Sequence, residues 1–201
     1  MKLGVDSTRV VRPLFQAEDG GSIPTSTLQL VFRRIPWHVF LDLNRQWHSR
    51  LPECRDLPFL LCYGAEYDGL WYAVAGWSHP VSRLLPQLEW LELRRFSIAP
   101  DAPKNTASRM LGWMRREVSR SIPDVTRLIS YQDLDSHSGC IYKAAGWKRA
   151  DNYTIQARRR IGWGNRGVRR MDQSNAPKMR WELTVNANAA LQPAPAQETE
   201  R

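Results

Sequence analysis

A strand, a proline-rich turn and an amphipathic helix follow one another between residues 89 and 121, and this unit constrains the fold more than any other stretch. Residues 89–98 alternate between apolar and polar side chains as a β-strand does. Residues 99–105 contain two prolines, an aspartate and an asparagine, which is typical of a turn. Asn105 or Thr106 can then cap a helix, and Pro123 ends it. Its apolar side chains recur at helical spacing: Met110, Leu111, Met114 and Val118.

A second strand and a short helix continue this unit. Residues 127–131 favour a strand, and residues 138–147 favour a short helix that ends at a glycine. Upstream we predict a strand over 28–32, a helix opened by Pro36, and a hairpin of strands 59–67 and 70–77 around Asp68-Gly69. Downstream we predict strands at 153–157 and 178–185.

The composition favours one globular domain. The 201 residues are 42% hydrophobic, which suits a single core. We predict a flexible segment over residues 1–25, a domain over 26–185 with a basic C-terminal part over 148–182, and a disordered tail over 186–201. No apolar run reaches the length of a membrane span and no signal peptide precedes the domain, so we expect a cytoplasmic protein without a membrane partner. Three cysteines without metal-ligand spacing favour a reducing compartment and make a metal cofactor unexpected.

Two parts of the central unit resemble the cofactor-binding half of a GNAT-type acyltransferase. They are the turn over residues 102–108 and Tyr142-Lys-Ala-Ala-Gly-Trp147, which is similar to that family's Tyr-x-x-x-Gly-Phe ending. The resemblance implies an α/β (α+β) fold with a mixed, mostly antiparallel, twisted sheet flanked by helices. It also implies acetyl-CoA or a related acyl-CoA donor, whose pyrophosphate binds backbone amides at a helix N-terminus. The family's loop usually contains glycine, and this one has none. The implied donor-binding residues are Phe96, Ile98, Pro103, Lys104, Asn105, Thr106, Ser108 and Arg109.

More narrowly, several motifs resemble the phage DNA-modification proteins of the Mom type. They are Arg95-x-x-x-Ala-Pro-Asp-Ala-Pro-Lys-Asn-x-x-Ser108, Ser130-Tyr131-x-Asp133, His137-x-Gly139-x-Ile141-Tyr142, and an upstream segment from Asn44 to Pro52. In that family an acyl-derived carbamoylmethyl group ends on the N6 amine of adenine in DNA. The resemblance therefore implies a DNA-modifying transferase, active in the host cytoplasm if it is encoded by a bacteriophage.

Four residues are candidates for catalysis. Tyr142 is placed by the resemblance to protonate a departing thiolate, although the same residue suits an ordinary core position. Glu92 lies on the strand before the turn, where GNAT proteins often hold a base, and Glu89 is its alternative. Asp133 and His137 belong to a polar cluster at the end of a strand, where they could orient a nucleophile. His48 with this pair is a conceivable metal trio, but its spacing does not support a metal site.

The charge distribution favours nucleic acid as a partner. The formal net charge is +9, and eleven Lys and Arg face two Asp between residues 143 and 180. An enzyme that modifies an amine inside a duplex has to extrude the base, which requires phosphate contacts and aromatic stacking. The predicted substrate and double-stranded DNA contacts are His48, Ser49, Arg50, His79, Arg83, Arg95, Ser130, Tyr131, Trp163, Arg166, Arg169, Arg170, Lys178 and Arg180, with Trp181 as a stacking aromatic.

Two other functions fit the same sequence. One is an ordinary acyl-CoA-dependent N-acetyltransferase that acts on a small amine or a protein. The other is a non-catalytic, basic DNA-binding protein on a GNAT scaffold, for which the glycine-free loop is the main argument. The sequence gives no oligomeric state.

Overall fold

A seven-stranded sheet with three helices makes up the part of the chain that the structure describes. The computed structural model describes residues 23–48, 50–54, 57–151, 153 and 176–186. Within these ranges the elements are a 3-10 turn (Thr27–Gln29), β1 (Val31–Arg34), α1 (Trp37–Trp47), β2 (Leu61–Tyr67), β3 (Leu70–Ser78), β4 (Trp90–Ile98), α2 (Thr106–Ser121), β5 (Arg127–Asp133), α3 (Cys140–Ala144), β6 (Lys148–Arg149) and β7 (Lys178–Thr184).

The sheet is antiparallel except at its centre. Its strand order is β1-β2-β3-β4-β5-β7-β6, and β4 and β5 form the one parallel pair among the described strands. β2 and β3 are joined at Asp68 and Gly69, both with positive φ (50° and 75°), as a two-residue hairpin turn requires. The α/β (α+β) class with a mostly antiparallel sheet flanked by helices is therefore confirmed.

The helices cover the two faces of the sheet with separate apolar clusters. On one face, α2 packs its predicted apolar stripe against the strands, and every member of that stripe is fully buried. α3 adds Tyr142 to the same cluster. On the other face, α1 packs Phe40 and Leu43 against β2 and β3. The close approach of α1 needs Gly76, where a β-carbon would lie 2.7 Å from the Phe40 ring.

Three local predictions differ from the structure. The predicted strand over 28–32 begins instead with the 3-10 turn, because Ser26 and Gln29 form a capping box, and β1 starts only at Val31. Asn105 is the N-cap residue of α2, but its side chain makes no capping hydrogen bond. Thr106 does not cap either, since it is the first helical residue and its hydroxyl donates to Pro103 O.

Parts of the predicted organisation lie outside the described residues. They are the N-terminal segment up to residue 22, most of the predicted strand over 153–157, most of the basic part between β6 and β7, and the tail from residue 187. β6 is a two-residue strand that the sequence pattern did not predict.

Candidate active site

A cleft opens where the two parallel central strands part. β4 pairs with β5 only from Trp90 to Leu93, yet it continues along β3 as far as Ile98. β5 likewise continues along β7 as far as Asp133. A register shift between β3 and β4 leaves Arg94 as an extra residue in β4 at the point of divergence. The gap between the strands is a cavity of about 670 Å³ lined by residues of β4, β5, α3 and the segment after α1.

A pair of hydroxyl groups lies at the inner end of this cleft. The Ser130 and Tyr142 hydroxyls are 2.9 Å apart, and both side chains are buried. The Tyr142 ring stacks on Trp181 at 5.4 Å between centroids and meets the edge of Trp147 at 5.6 Å. Burial raises the pKa of Tyr142, and the hydrogen bond with Ser130 opposes this only in part. Tyr142 is therefore a protonated phenol at neutral pH.

Trp181 and Gln132 fix the position of α3, which carries Tyr142. Trp181 Nε1 donates to Gln132 Oε1 at 2.7 Å, and Gln132 Nε2 donates to His137 O. Gly139, the N-cap of α3, has φ of 74°, and a β-carbon there would lie 2.5 Å from Gln132 Oε1 and 2.7 Å from Trp181 Cζ2. The prediction that Trp181 stacks on a DNA base is wrong, because this indole is buried in the core.

A buried asparagine brings the segment after α1 to the cleft. Asn44 Nδ2 donates to the carbonyl oxygens of Leu51 and Pro52 at 3.2 and 2.9 Å, and Asn44 Oδ1 accepts from Ser97 Oγ of β4 at 2.9 Å. The carboxamide therefore joins this segment to the strand that forms one wall of the cleft. Neither Asn44 nor Ser97 was predicted as a site residue. The structure marks Asn44 as important, because asparagine side chains are rarely fully buried.

The same segment places the predicted residues His48 and Arg50 in the cleft wall. The amides of Arg50 and Leu51 donate to His48 Nδ1 at 3.4 and 3.2 Å, so the neutral ring carries its proton on Nε2. Burial, with the charges of Arg95 and His137, lowers the pKa of His48 to about 4. His48 is therefore a neutral hydrogen-bond donor at physiological pH rather than a proton acceptor.

Charged groups surround the open end of the cleft. Lys178 Nζ lies 2.8 Å from Asp133 Oδ2, and Asp133 Oδ1 accepts from the Asp135 amide at 3.1 Å. His137 lines the same cavity, and its amide donates to Asp133 O at 3.0 Å. The structure thus brings the predicted Asp133 and His137 together. Lys178, predicted as a DNA contact, belongs to this group.

The loop before α2 adopts the conformation that glycine usually provides. Asn105 has φ of 71°, and asparagine is among the residues that tolerate this left-handed region best. Thr106 N donates to Pro103 O and Arg109 N to Asn105 O, which leaves Ala107 and Ser108 as the first-turn residues whose amides can meet an anion. Pro103 has no N–H to offer. The absence of glycine therefore does not prevent the loop from forming an anion-binding turn.

Other predicted donor contacts divide between the cleft and its surroundings. Phe96 and Ile98 line the cleft, as does Ala107. Lys104 is exposed outside it. The Arg109 guanidinium lies over the Phe32 ring and donates to Thr27 O, so it reaches away from the loop.

Of the predicted acceptor contacts, Arg95, Ser130 and Tyr131 line the cleft. His79 and Arg83 are exposed in the β3–β4 loop and do not line it. Arg180 lies over the Tyr153 ring and pairs with Glu182 at 2.7 Å. Ser49, Trp163, Arg166, Arg169 and Arg170 lie outside the described residues.

Glu92 is buried beside the cleft rather than in its wall. Its Oε2 accepts from the Val81 amide at 2.9 Å, and its Oε1 lies 3.3 Å from Arg94 Nε. Burial raises the pKa of Glu92, while the Val81 amide, Arg94 and Arg95 oppose that shift. The alternative Glu89 is exposed, with its carbonyl oxygen accepting from Thr126.

In the ranges that the structure describes, no three His, Cys, Asp or Glu side chains are grouped as metal ligands. Nor does any described helix have the length and apolarity to cross a bilayer.

Several solved acetyltransferases share this fold at low sequence identity. A GNAT-family acetyltransferase from Streptococcus pneumoniae matches with a TM-score of 0.51 at 11% identity, covering 78% of this chain and 99% of that one. The YncA protein of Salmonella typhimurium, solved with acetyl-CoA, matches with a TM-score of 0.55 at 9% identity over 84% and 99%. Spermidine N-acetyltransferase from Vibrio cholerae, solved with CoA and spermine, matches with a TM-score of 0.52 at 11% identity over 82% and 99%. The fold is therefore the GNAT fold.

Sequence comparison identifies one family among those that share this fold. Among curated proteins, none matches the sequence. The family model of the Mom protein family matches residues 72–189, which include β3, the cleft, α2, α3 and β7. The chain belongs to the Mom protein family, on a GNAT fold.

Proposed function

We propose that the protein is a GNAT-like transferase that adds an acyl-derived group of the carbamoylmethyl type to the N6 amine of adenine in DNA. Membership of the Mom family supports the reaction class. The observation that carries the proposal is the buried Ser130–Tyr142 hydroxyl pair at the inner end of a cleft whose other end adjoins the α2 N-terminus. A donor with phosphates at one end and a reactive sulfur at the other fits such a cleft.

The donor that these residues fit is of the acyl-CoA type. The amides of Ala107 and Ser108, with the positive end of the α2 dipole, favour its phosphates. The diverging edges of β4 and β5 no longer pair with each other, so their backbone groups can hydrogen-bond an extended molecule that contains amides. Such a donor supplies an activated group on sulfur, and its thiolate needs a proton on leaving.

Tyr142 suits the role of the acid in this reaction. Its raised pKa keeps the phenol protonated, and Ser130 is placed to return a proton to it through their hydrogen bond. Trp181 and Trp147 hold the ring in one orientation, so the hydroxyl is positioned before the donor binds.

The proton of the adenine amine has two candidate acceptors. Asp133 and His137 line the cleft, whereas the Glu92 carboxylate is held by the Val81 amide outside the wall. We therefore assign proton removal to the Asp133–His137 group, in which Lys178 forms an ion pair with Asp133. Neutral His48 is left to donate a hydrogen bond to the acceptor base, next to Arg50 and Arg95.

Mass spectrometry of nucleosides from host DNA after expression tests the proposal directly. A new adenine adduct is expected with the natural sequence, and Tyr142→Phe is expected to reduce it by about 10²- to 10⁴-fold while leaving donor binding intact. Tyr63→Phe is the matched control, since it also removes a buried hydroxyl, but at a position that does not line the cleft. Unmodified DNA from the folded protein contradicts the proposal. If Tyr142→Phe modifies DNA at the normal rate, the phenol has no part in the reaction.

A duplex titration distinguishes this function from its rivals. Binding that weakens steeply with salt is expected for a DNA-modifying enzyme, and a small-amine N-acetyltransferase has no need of it. Calorimetry with acyl-CoA then tests the non-catalytic alternative, which predicts DNA binding without donor binding.

A further inference from the structure

A second concave surface lies on the outer side of α2, separate from the cleft. It is a groove of about 690 Å³ between α2, α3 and the end of β7. Its charged lining residues are Arg115, Arg116 and Arg120, and among the described residues no acidic side chain lines it. Ser108, Ser119 and Gly112 provide small polar or backbone surface between the arginines. We refer to this surface as the arginine groove, and we propose that it binds the phosphate backbone of duplex DNA.

The charge and chemistry of the arginine groove fit phosphodiesters. All three arginines are exposed, so their guanidinium groups are free to release counterions when they meet phosphates. Arg120 also contacts Glu117, but a guanidinium has five N–H donors and can engage a carboxylate and a phosphate at once. The hydroxyls of Ser108 and Ser119 donate to Asn105 O and Asn186 Oδ1, so the guanidinium groups supply the phosphate contacts.

The length of the groove favours a polymer over a single nucleotide. From Ser108 to Arg120 the helix α2 rises about 18 Å at about 1.5 Å per residue. One DNA strand carries about five phosphates over that distance, at about 3.4 Å of helix axis each. A diphosphate from the donor would occupy only the end near Ser108 and would leave the arginines at the other end without a partner.

The groove adjoins the cleft. Ser108 lines the groove and Ala107 lines the cleft, while in α3 Ala144 lines the groove and Ile141 the cleft. A duplex held along α2 is therefore close to the cavity that an extruded base would enter. This inference rests on the proposed DNA function, and it names a surface for the duplex outside the basic part between β6 and β7.

Gly112 allows a test that changes charge at constant shape. A β-carbon at Gly112 meets no atom within 4 Å, and the residue is inside a helix, where replacement of glycine favours folding. Gly112→Lys and Gly112→Glu introduce side chains of similar length and opposite charge at the floor of the groove. We expect Gly112→Lys to bind a short duplex more tightly and Gly112→Glu to bind it at least about tenfold more weakly.

A second test removes two of the groove arginines and measures how DNA binding depends on salt. Arg115→Ala/Arg116→Ala is expected to reduce the slope of log K against log salt by about 1.8, since each lost phosphate contact removes about 0.9. Arg34→Ala/Arg45→Ala removes the same charge from exposed positions on β1 and α1, and we expect its slope to stay unchanged. Equal effects of the two double variants on the salt slope would refute the proposal that the groove binds DNA, because net charge alone would then account for the binding.

Donor titration separates the two sources of phosphate. We expect the arginine double variant to bind acyl-CoA as the natural sequence does. If the variant loses affinity for acyl-CoA instead of affinity for DNA, the groove binds the donor and the inference is wrong. If the natural sequence binds no duplex at all, the proposed function fails and this inference fails with it. If the natural sequence modifies DNA and both Gly112 variants bind it equally, only the groove is refuted.

Discussion

We expect alanine substitution to destabilise the protein by very different amounts at two glycines that share a backbone conformation. Gly139 and Gly146 have φ of 74° and 77°, so an alanine at either position adopts the left-handed region at a cost of about 1–2 kcal/mol. At Gly146 a β-carbon meets nothing within 4 Å, and no further cost follows. At Gly139 the same atom would lie 2.5 Å from Gln132 Oε1 and 2.7 Å from Trp181 Cζ2.

Neither neighbour of Gly139 can move cheaply. Gln132 is hydrogen-bonded to Trp181 Nε1 and to His137 O, and the Trp181 ring stacks on Tyr142. Relief of the clash therefore adds an overpacking cost of about 1–3 kcal/mol. Disruption of a buried hydrogen bond adds about 0.5–1.5 kcal/mol. The total for Gly139→Ala is about 2.5–6.5 kcal/mol, against about 1–2 kcal/mol for Gly146→Ala.

Urea unfolding of the two variants and the natural sequence measures this difference. We expect unchanged m-values, a small loss in the free energy of unfolding for Gly146→Ala and a loss at least about 1.5 kcal/mol larger for Gly139→Ala. Gly139→Ala should also lose transferase activity, because any shift of α3 moves the Tyr142 hydroxyl from Ser130. Equal losses of stability in the two variants would refute the packing argument around Gln132 and Trp181.

Three further outcomes follow from the same contacts. The folded-state pKa of His48 is lowered to about 4, below its unfolded value, so we expect stability to fall as pH decreases from about 6.5 to 4. Urea unfolding across that pH range measures the loss, and we expect His48→Gln to remove part of it. Burial raises the pKa of Cys62 to about 12 and also raises that of Cys54, whereas Cys140 is exposed. A thiol reagent at neutral pH should therefore label Cys140 alone in the native protein and all three thiols after denaturation. Asn44→Ala removes a buried donor from the half-buried carbonyls of Leu51 and Pro52, and we expect a loss of about 1–3 kcal/mol by urea unfolding and faster proteolysis near residue 50. An unchanged cleavage pattern would contradict the role of the carboxamide.

The alternation and turn signals in the sequence were sufficient to predict most strands and helices. β2, β3, β4, β5 and β7 and all three helices form near their predicted positions, because each has a clear period and a strong end signal such as Asp68-Gly69 or Pro123. The start of β1 was wrong because Ser26 and Gln29 are individually unremarkable polar residues, and only their reciprocal bonds create the 3-10 turn.

The candidate site was predictable only where a resemblance marked it. Tyr142, Ser130, His48 and the Asp133–His137 pair lie in motifs of the family, and the cleft brings them together. The role of Asn44 in ordering the segment after α1 depends on a contact with Ser97, 53 residues away, and local patterns do not contain such contacts. Likewise Trp181 looked like a nucleic-acid contact among basic neighbours, although its alternation in β7 equally allowed the buried position that it has.

The position of β7 has a consequence for the synthesis of the chain. β7 inserts between β5 and β6, and it supplies both the indole that stacks on the Tyr142 ring and the ammonium group beside Asp133. A nascent or truncated chain that stops before residue 178 can form the earlier hairpin and helices, but it has neither support. Such pairings across a long sequence separation form slowly, so Tyr142 and Asp133 acquire these neighbours only after residues 178–184 have been synthesised.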